Sequence, residues 1–312
     1  MYLKLVVATC LLAFFAVSLS AYARLSDAGL GCSNWPACYE ESALKERLPP
    51  QAGVVRGHTS WPWKLHSQVV QLLGILAIAV CGLSWKMRKK LRQSPLLPTL
   101  LLGLMVFLAV FGIFAFNILP RPVIVLVHLA CGIAMLALLA WIALRQIAPI
   151  GIIDAEQANK WRTYSWFGIV LLFVQIMLGG WVSSNFAALA CTDFPLCQGS
   201  VFPSMDFSYS FGSSASPLPI ETLTAIHWMH RVGALITVCY FTWLSTGIMA
   251  VEGVHNIGKA ILGLTMLQFA LGVSNVLTGL PLTGAVMHNA AAMLLLVTLV
   301  LLSFRLQKDV GS

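Results

Sequence analysis

Eight stretches of this chain run for about twenty residues each with almost no charge, the length a helix needs to cross a lipid bilayer. They cover roughly Leu3–Ala23, His66–Trp85, Leu96–Ile118, Val123–Leu144, Ser165–Phe186, Leu223–Ala250, Ala260–Leu277 and Leu282–Phe304. The expected fold is an all-α membrane protein with eight transmembrane helices. Only 10% of the residues are charged and 59% are hydrophobic, whereas a soluble domain carries about 25% charged residues. A soluble enzyme and a disordered scaffold are both excluded. The net charge of +8 would suit nucleic acid, but the charges cluster in short segments between apolar runs, as membrane proteins place them. The expected surroundings are membrane lipid, with no nucleic acid. Lys4 ahead of the first stretch and the triplet Ala21-Tyr22-Ala23 behind it resemble a signal peptide. The apolar run is longer than a signal core, so the first stretch is expected to stay as a helix.

The basic residues fix the orientation. Lys86-Met87-Arg88-Lys89-Lys90-Leu91-Arg92 follows the second stretch, Arg145, Lys160 and Arg162 flank the loop after the fourth, Lys259 follows the sixth, and Arg305 and Lys308 follow the eighth. All fall on one side, which the positive-inside rule makes cytoplasmic. Both termini are then cytoplasmic, and the two long loops, about 24–65 and 187–222, face outward. No Arg- and Ser-rich transit peptide precedes the first span, so the expected location is a bacterial inner (cytoplasmic) membrane.

The outer loops share a pattern: Cys32-Ser33-Asn34-Trp35-Pro36-Ala37-Cys38 in one and Cys191-Thr192-Asp193-Phe194-Pro195-Leu196-Cys197 in the other, offset by 159 residues. Two histidine pairs follow nearly the same period, His66 with His230 and His128 with His288. The chain therefore reads as two pseudo-repeated four-helix bundles, residues 1–150 and 151–312. Four spans per half insert both halves the same way up, as a parallel repeat about the membrane normal. Cys10, Cys81, Cys131 and Cys239 lie inside apolar stretches and read as small buried filler. The paired loop cysteines lie on the side where disulfides persist, so bridges Cys32–Cys38 and Cys191–Cys197 are expected. Metal binding is the alternative, at a spacing wider than zinc usually takes.

An ionisable side chain inside a span is a functional candidate by default. His66, His128, His230 and His288 all fall near the outward ends of even-numbered spans, two per half. Taken singly, each reads as a core histidine or helix glue. Two imidazoles facing each other across a bundle suit a haem iron, so each half is expected to hold one haem. His227, one turn before His230, is expected beside the same pocket, while His58 and His255 read as solvated loop residues.

These residues resemble the haem A synthase family. The carrying motifs are Ala23-Arg24-Leu25-Ser26-Asp27-Ala28-Gly29-Leu30-Gly31-Cys32 with Trp35-Pro36 and Cys38; Gln175 to Asn185, with Gly179-Gly180-Trp181-Val182; Cys191 to Cys197; Ile226-His227-Trp228-Met229-His230-Arg231; and Met287-His288-Asn289. The resemblance covers nearly the whole chain and is closer in the second half. It implies oxidation of a haem O ring methyl to the formyl group of haem A, through a hydroxymethyl intermediate, for haem-copper oxidase biogenesis. It implies His66 and His128 as catalytic residues flanking the substrate haem, with His230 and His288 as ligands of a haem b cofactor. It implies haem O, and possibly the haem O synthase that delivers it, as partners within the cytochrome oxidase assembly pathway. Cys32–Cys38 would serve in electron or haem transfer.

One position departs from that family. A glutamate normally stands three residues before the first histidine, and here the position is Trp63. No Asp or Glu occurs between Glu46 and Asp154. Glu46, His58 or water would have to replace the missing base. The alternative reading is a catalytically impaired haem-binding electron-transfer or oxidase-assembly protein. A transporter fits less well, because the candidate ligands lie toward the outer face rather than at mid-membrane.

Overall fold

The computed structural model describes residues 1–27, 61–91, 93–115, 121–147, 153–208 and 218–307. Its helices are α1 (Tyr2–Asp27), α2 (Trp61–Lys86), α3 (Leu96–Ala115), α4 (Arg121–Leu144), α5 (Ala155–Ser184), α6 (Ile220–Met249), α7 (His255–Leu277) and α8 (Leu282–Arg305), with one 3₁₀ turn at Ala187–Leu189. Seven of them are long and apolar enough to cross a membrane, and Leu96–Gly112 is a shorter apolar helix. Helices suit these sequences because lipid offers the backbone no hydrogen-bond partners.

Helix ends depart from the apolar stretches where local chemistry extends them. α5 starts ten residues before Ser165 because Asp154 caps it, its carboxylate accepting the backbone N–H of Glu156 and Gln157 at 3.1 and 3.0 Å. Side chains of this kind satisfy the orphan amides of a first turn. α2 starts at Trp61, so the Trp61-Pro62-Trp63 block lies in its first turn and His66 in its second. Pro at the second helical position loses no intrahelical bond there. α7 and α8 are joined by a tight link in which Gly279 takes φ +70°, a conformation glycine adopts without strain, and Leu280 N–H reaches back to Asn275 O at 2.7 Å.

Within residues 1–147, α1 packs on α2 and α4, while α3 touches both α2 and α4. In the later part, α6 packs on α5 and α7, and α8 packs on α5 and α7. The two groups meet where α1 touches α8 and where α4 touches α5 and α8. A single apolar cluster runs through this junction, from Leu73 and Leu101 through Leu136 and Leu139 to Phe241 and Leu299. Small residues let helices approach at the junction and elsewhere. Gly180 of α5 lies against Leu129 and Leu126 of α4, and Gly247 of α6 lies under the Trp161 ring of α5. Ser303 donates to Ser165 at 3.1 Å, and Gln93 donates to the Tyr2 hydroxyl at 3.1 Å, both buried. Such bonds commonly tie membrane helices together. Outward faces carry exposed Leu72, Ile75, Val170, Val174 and Leu235, a surface that lipid rather than water solvates.

Candidate functional site

His230 on α6 and His288 on α8 face each other. Their ring centroids lie 6.5 Å apart with the planes at 80°. Each ring rests against a glycine of the neighbouring helix. A Cβ on Gly179 of α5 would come 3.1 Å from His230 Cε1, and one on Gly272 of α7 would come 3.2 Å from His288 Cε1. All four helices of the later group therefore enclose the pair.

Both imidazoles touch a glutamine. Gln175 Nε2 of α5 lies 3.1 Å from His230 Nδ1 and 3.0 Å from His230 O. Gln268 Nε2 of α7 lies 3.2 Å from His288 Nε2. The oxygens Gln175 Oε1 and Gln268 Oε1 are buried without a partner, as is His288 Nδ1. Buried polar atoms rarely stay unsatisfied, so this concentration marks the site as built for a further group. The glutamines leave His230 Nε2 and His288 Nδ1 as the ring nitrogens without a side-chain partner among the described residues, and an imidazole pair could hold a haem iron. Among the described residues no three His, Cys, Asp or Glu side chains gather in one cluster.

The first pair is looser. His66 on α2 stands edge-on to Trp63 at 6.1 Å, and its Nδ1 is buried without a partner. His128 on α4 is exposed, bonds through Nδ1 to its own helix at Ile124 O (3.1 Å), and tilts against Phe111 at 5.9 Å. Gly112 of α3 lies beside this ring, 3.8 Å from Nε2 for an added Cβ, as Gly272 lies beside His288. The two imidazoles are within electrostatic reach of each other.

A loop lies one turn beyond the second pair, against the first part of α6. The Cys191–Cys197 disulfide closes it, with the Cα atoms 4.7 Å apart. Arg231 donates from Nη1 to Asp193 O (2.9 Å) and Leu196 O (2.8 Å), and from Nη2 to Cys191 O (2.8 Å). The residue after His230 thus latches the loop. His227 is buried and accepts the Cys191 N–H at Nδ1 (3.3 Å), with Arg231 Nε 3.4 Å from its Nε2. One turn from His230 on the same helix, it braces the loop. Asp193 accepts the N–H groups of Gln198 (2.7 Å) and Gly199 (2.8 Å). These bonds, that to Gly199 foremost, hold its carboxyl below the usual carboxylate range. Phe194 of the loop meets Phe269 of α7 edge-on at 6.1 Å, next to Gln268.

Residues 3–300 match the model of the Cytochrome oxidase assembly protein family, COX15-CtaA. The chain belongs to that family. It is 32% identical to the Heme A synthase of Shewanella oneidensis, with 95% of this chain and 94% of that protein covered. The Heme A synthase of Granulibacter bethesdensis is 25% identical over 92% of this chain and 82% of its own length. That of a Caulobacter species is 24% identical over 95% and 93%.

Within this family member the structure brings His230 and His288 together and closes the Cys191–Cys197 bridge. Cys32, Cys38, Glu46 and His58 lie outside the described residues. Gln268 escaped sequence reasoning, and Gln175 was noticed only within a motif. The available signal was an uncharged polar side chain in the middle of an apolar span, where it needs a partner.

Proposed function

We propose that the protein is a haem A synthase, an oxidoreductase that converts the ring methyl of haem O to the formyl group of haem A for cytochrome oxidase assembly. The observation that carries this reading is 32% identity to a Heme A synthase along 95% of the chain. The paired imidazoles support it. On this reading residues 1–150 and 151–312 are two pseudo-repeated four-helix bundles. Arg24 Nε bonding Ser183 Oγ at 3.0 Å, two positions one repeat apart, is what a two-fold axis between the halves would produce. The membrane is the bacterial inner membrane, with both termini cytoplasmic, and a haem O synthase supplies the substrate.

The balance is one methyl plus one water giving one formyl, four protons and four electrons. His230 and His288 would hold haem b, which when bound supplies one-electron transfer. His66 and His128 would hold the substrate ring. His128, exposed and, among the described residues, bonded to its own helix, suits a ligand that must enter and leave. Gly112 leaves room for that ring, and Trp63 walls the space beside His66. The protons need an acceptor near the methyl. Position 63 lies beside His66, which is where a carboxylate would act and where this chain has an indole. That observation favours a second reading, a haem-binding assembly or electron-transfer protein with little turnover.

The test is to purify the protein from cells that also make haem O, extract its haems, and identify them by chromatography and mass spectrometry. Haem A or its hydroxymethyl precursor beside haem B supports the synthase. Haem B alone, with haem O present, overturns it in favour of the second reading. His230→Ala or His288→Ala is expected to abolish the b-type absorbance.

A further inference from the structure

We propose that Gln175 and Gln268 are positioning residues for His230 and His288, each carboxamide fixing the orientation of one imidazole and which of its nitrogens carries the proton. The proposal rests on haem b lying between those two histidines. A histidine that binds a metal through one nitrogen must carry its proton on the other, and the partner of that N–H sets ring orientation and ligand basicity. A carboxamide can present either a donor or an acceptor to a ring nitrogen.

Both glutamines are placed for that role. Their amide nitrogens lie 3.1 and 3.2 Å from an imidazole nitrogen, while the amide oxygens are buried without partners. A half-turn of the Gln268 amide would bring its unpaired oxygen to the imidazole, ready to accept the N–H that metal binding requires, whereas the Gln175 amide nitrogen is also held by the His230 carbonyl. The backbone makes room for this arrangement. A Cβ on Gly233, one turn beyond His230, would collide with Gln175 Oε1. Gly272, one turn beyond Gln268, gives the His288 ring its space. The glutamines come from α5 and α7 and the histidines from α6 and α8, so every helix of the later group contributes to the assembly.

The first histidine pair meets backbone groups instead of carboxamides: His128 Nδ1 lies 3.1 Å from Ile124 O, and His66 is within hydrogen-bond reach of the Ala16 backbone. On the repeat register, 159 residues before Gln175 stands Ala16, and 160 before Gln268 stands Leu108. The carboxamides thus distinguish the second pair from the first.

The experiment uses the full chain in detergent. Haem b content, ferric low-spin electron paramagnetic resonance and midpoint potential are measured for wild type, Gln175→Leu, Gln268→Leu, Gln175→Glu and His230→Ala. Loss of the b spectrum in His230→Ala establishes the underlying pair independently. The leucine variants should then lose about 10- to 100-fold in haem affinity, the usual effect of removing such a partner. Gln175→Glu should retain haem, shift the resonance and lower the potential, because a carboxylate makes the imidazole a stronger donor. A tenfold difference between ferric and ferrous affinities reads as about 59 mV. Leucine variants with wild-type affinity, resonance and potential would overturn the proposal. A His230→Ala protein that keeps the b spectrum would overturn both the proposal and the ligand assignment beneath it.

Discussion

Arg231→Met should loosen the Cys191–Cys197 loop while leaving the helices in place. The guanidinium makes three bonds of 2.8–2.9 Å to loop carbonyls, and methionine keeps much of the apolar stem while removing every donor. Hydrogen bonds to a charged group contribute roughly 1.5–3 kcal/mol each, but water can replace the donor at exposed Leu196. Cys191 is fully buried, and its carbonyl would be left without a partner, at about 1–3 kcal/mol. The total is about 3 kcal/mol, or roughly 10²-fold in the opening equilibrium at 1.4 kcal/mol per decade. The reporters are the amides of Cys197 and Ser200, which bond each other's carbonyls at 2.9 and 3.1 Å. Hydrogen–deuterium exchange of residues 197–200 should accelerate by about 10²-fold, with the core of α8 unchanged. Exchange within threefold of wild type would refute the latch. The disulfide closes a separation of six residues, worth about 2 kcal/mol of loop entropy. Replacing both cysteines by serine should accelerate exchange by about 30-fold. Combined with Arg231→Met, the effect should fall short of the sum, because both constraints hold one segment.

Other outcomes follow from single contacts. Gly247→Ala puts a methyl into the Trp161 ring and should cost about 1–3 kcal/mol, seen as a lower thermal midpoint in detergent, whereas Gly263→Ala, with open space around it, should not. Asp193 has a lowered folded pKa, so its contribution to the loop is complete above the ordinary carboxylate value and is lost as pH falls through the folded one. Loop protection should therefore weaken only on strong acidification, and Asp193→Asn should flatten that dependence in exchange measured against pH. Trp63→Glu should raise methyl oxidation by about 10²-fold or more if the missing base limits the rate. An unchanged haem A yield would show that another group takes the proton.

How far the sequence reaches depends on the distance over which each feature acts. Length and apolarity located the eight long helices of the described residues, seven of them long and apolar enough to cross a membrane, because crossing lipid depends on those properties of the segment itself. The start of α5 lies ten residues before its apolar run, because a polar cap at Asp154 extends the helix. The Cys191–Cys197 bridge was legible because a short spacing nearly closes the loop by itself. Recurrence at about 160 residues, His66 with His230 and His128 with His288, singled out the four histidines as candidates, since recurrence needs no geometry.

Other features came only from packing. Arg231 sat in a quoted motif, yet its partners are carbonyls up to forty residues away in the chain, and carbonyls leave no mark in a sequence. Gln268 matched no motif, and its contact with His288 exists because α7 and α8 fold back through the tight turn at Gly279. The contrast between a braced second pair and a loose first pair has the same origin. His66 and His128 recur at nearly the spacing of His230 and His288, but only the neighbouring helices decide whether an imidazole meets a carboxamide or a backbone carbonyl. The sequence by itself determined the membrane helices and the candidate ligands. Tertiary structure decided which ligands are held and by what, because hydrogen bonds between helices depend on distances of a few ångströms that no spacing along the chain encodes.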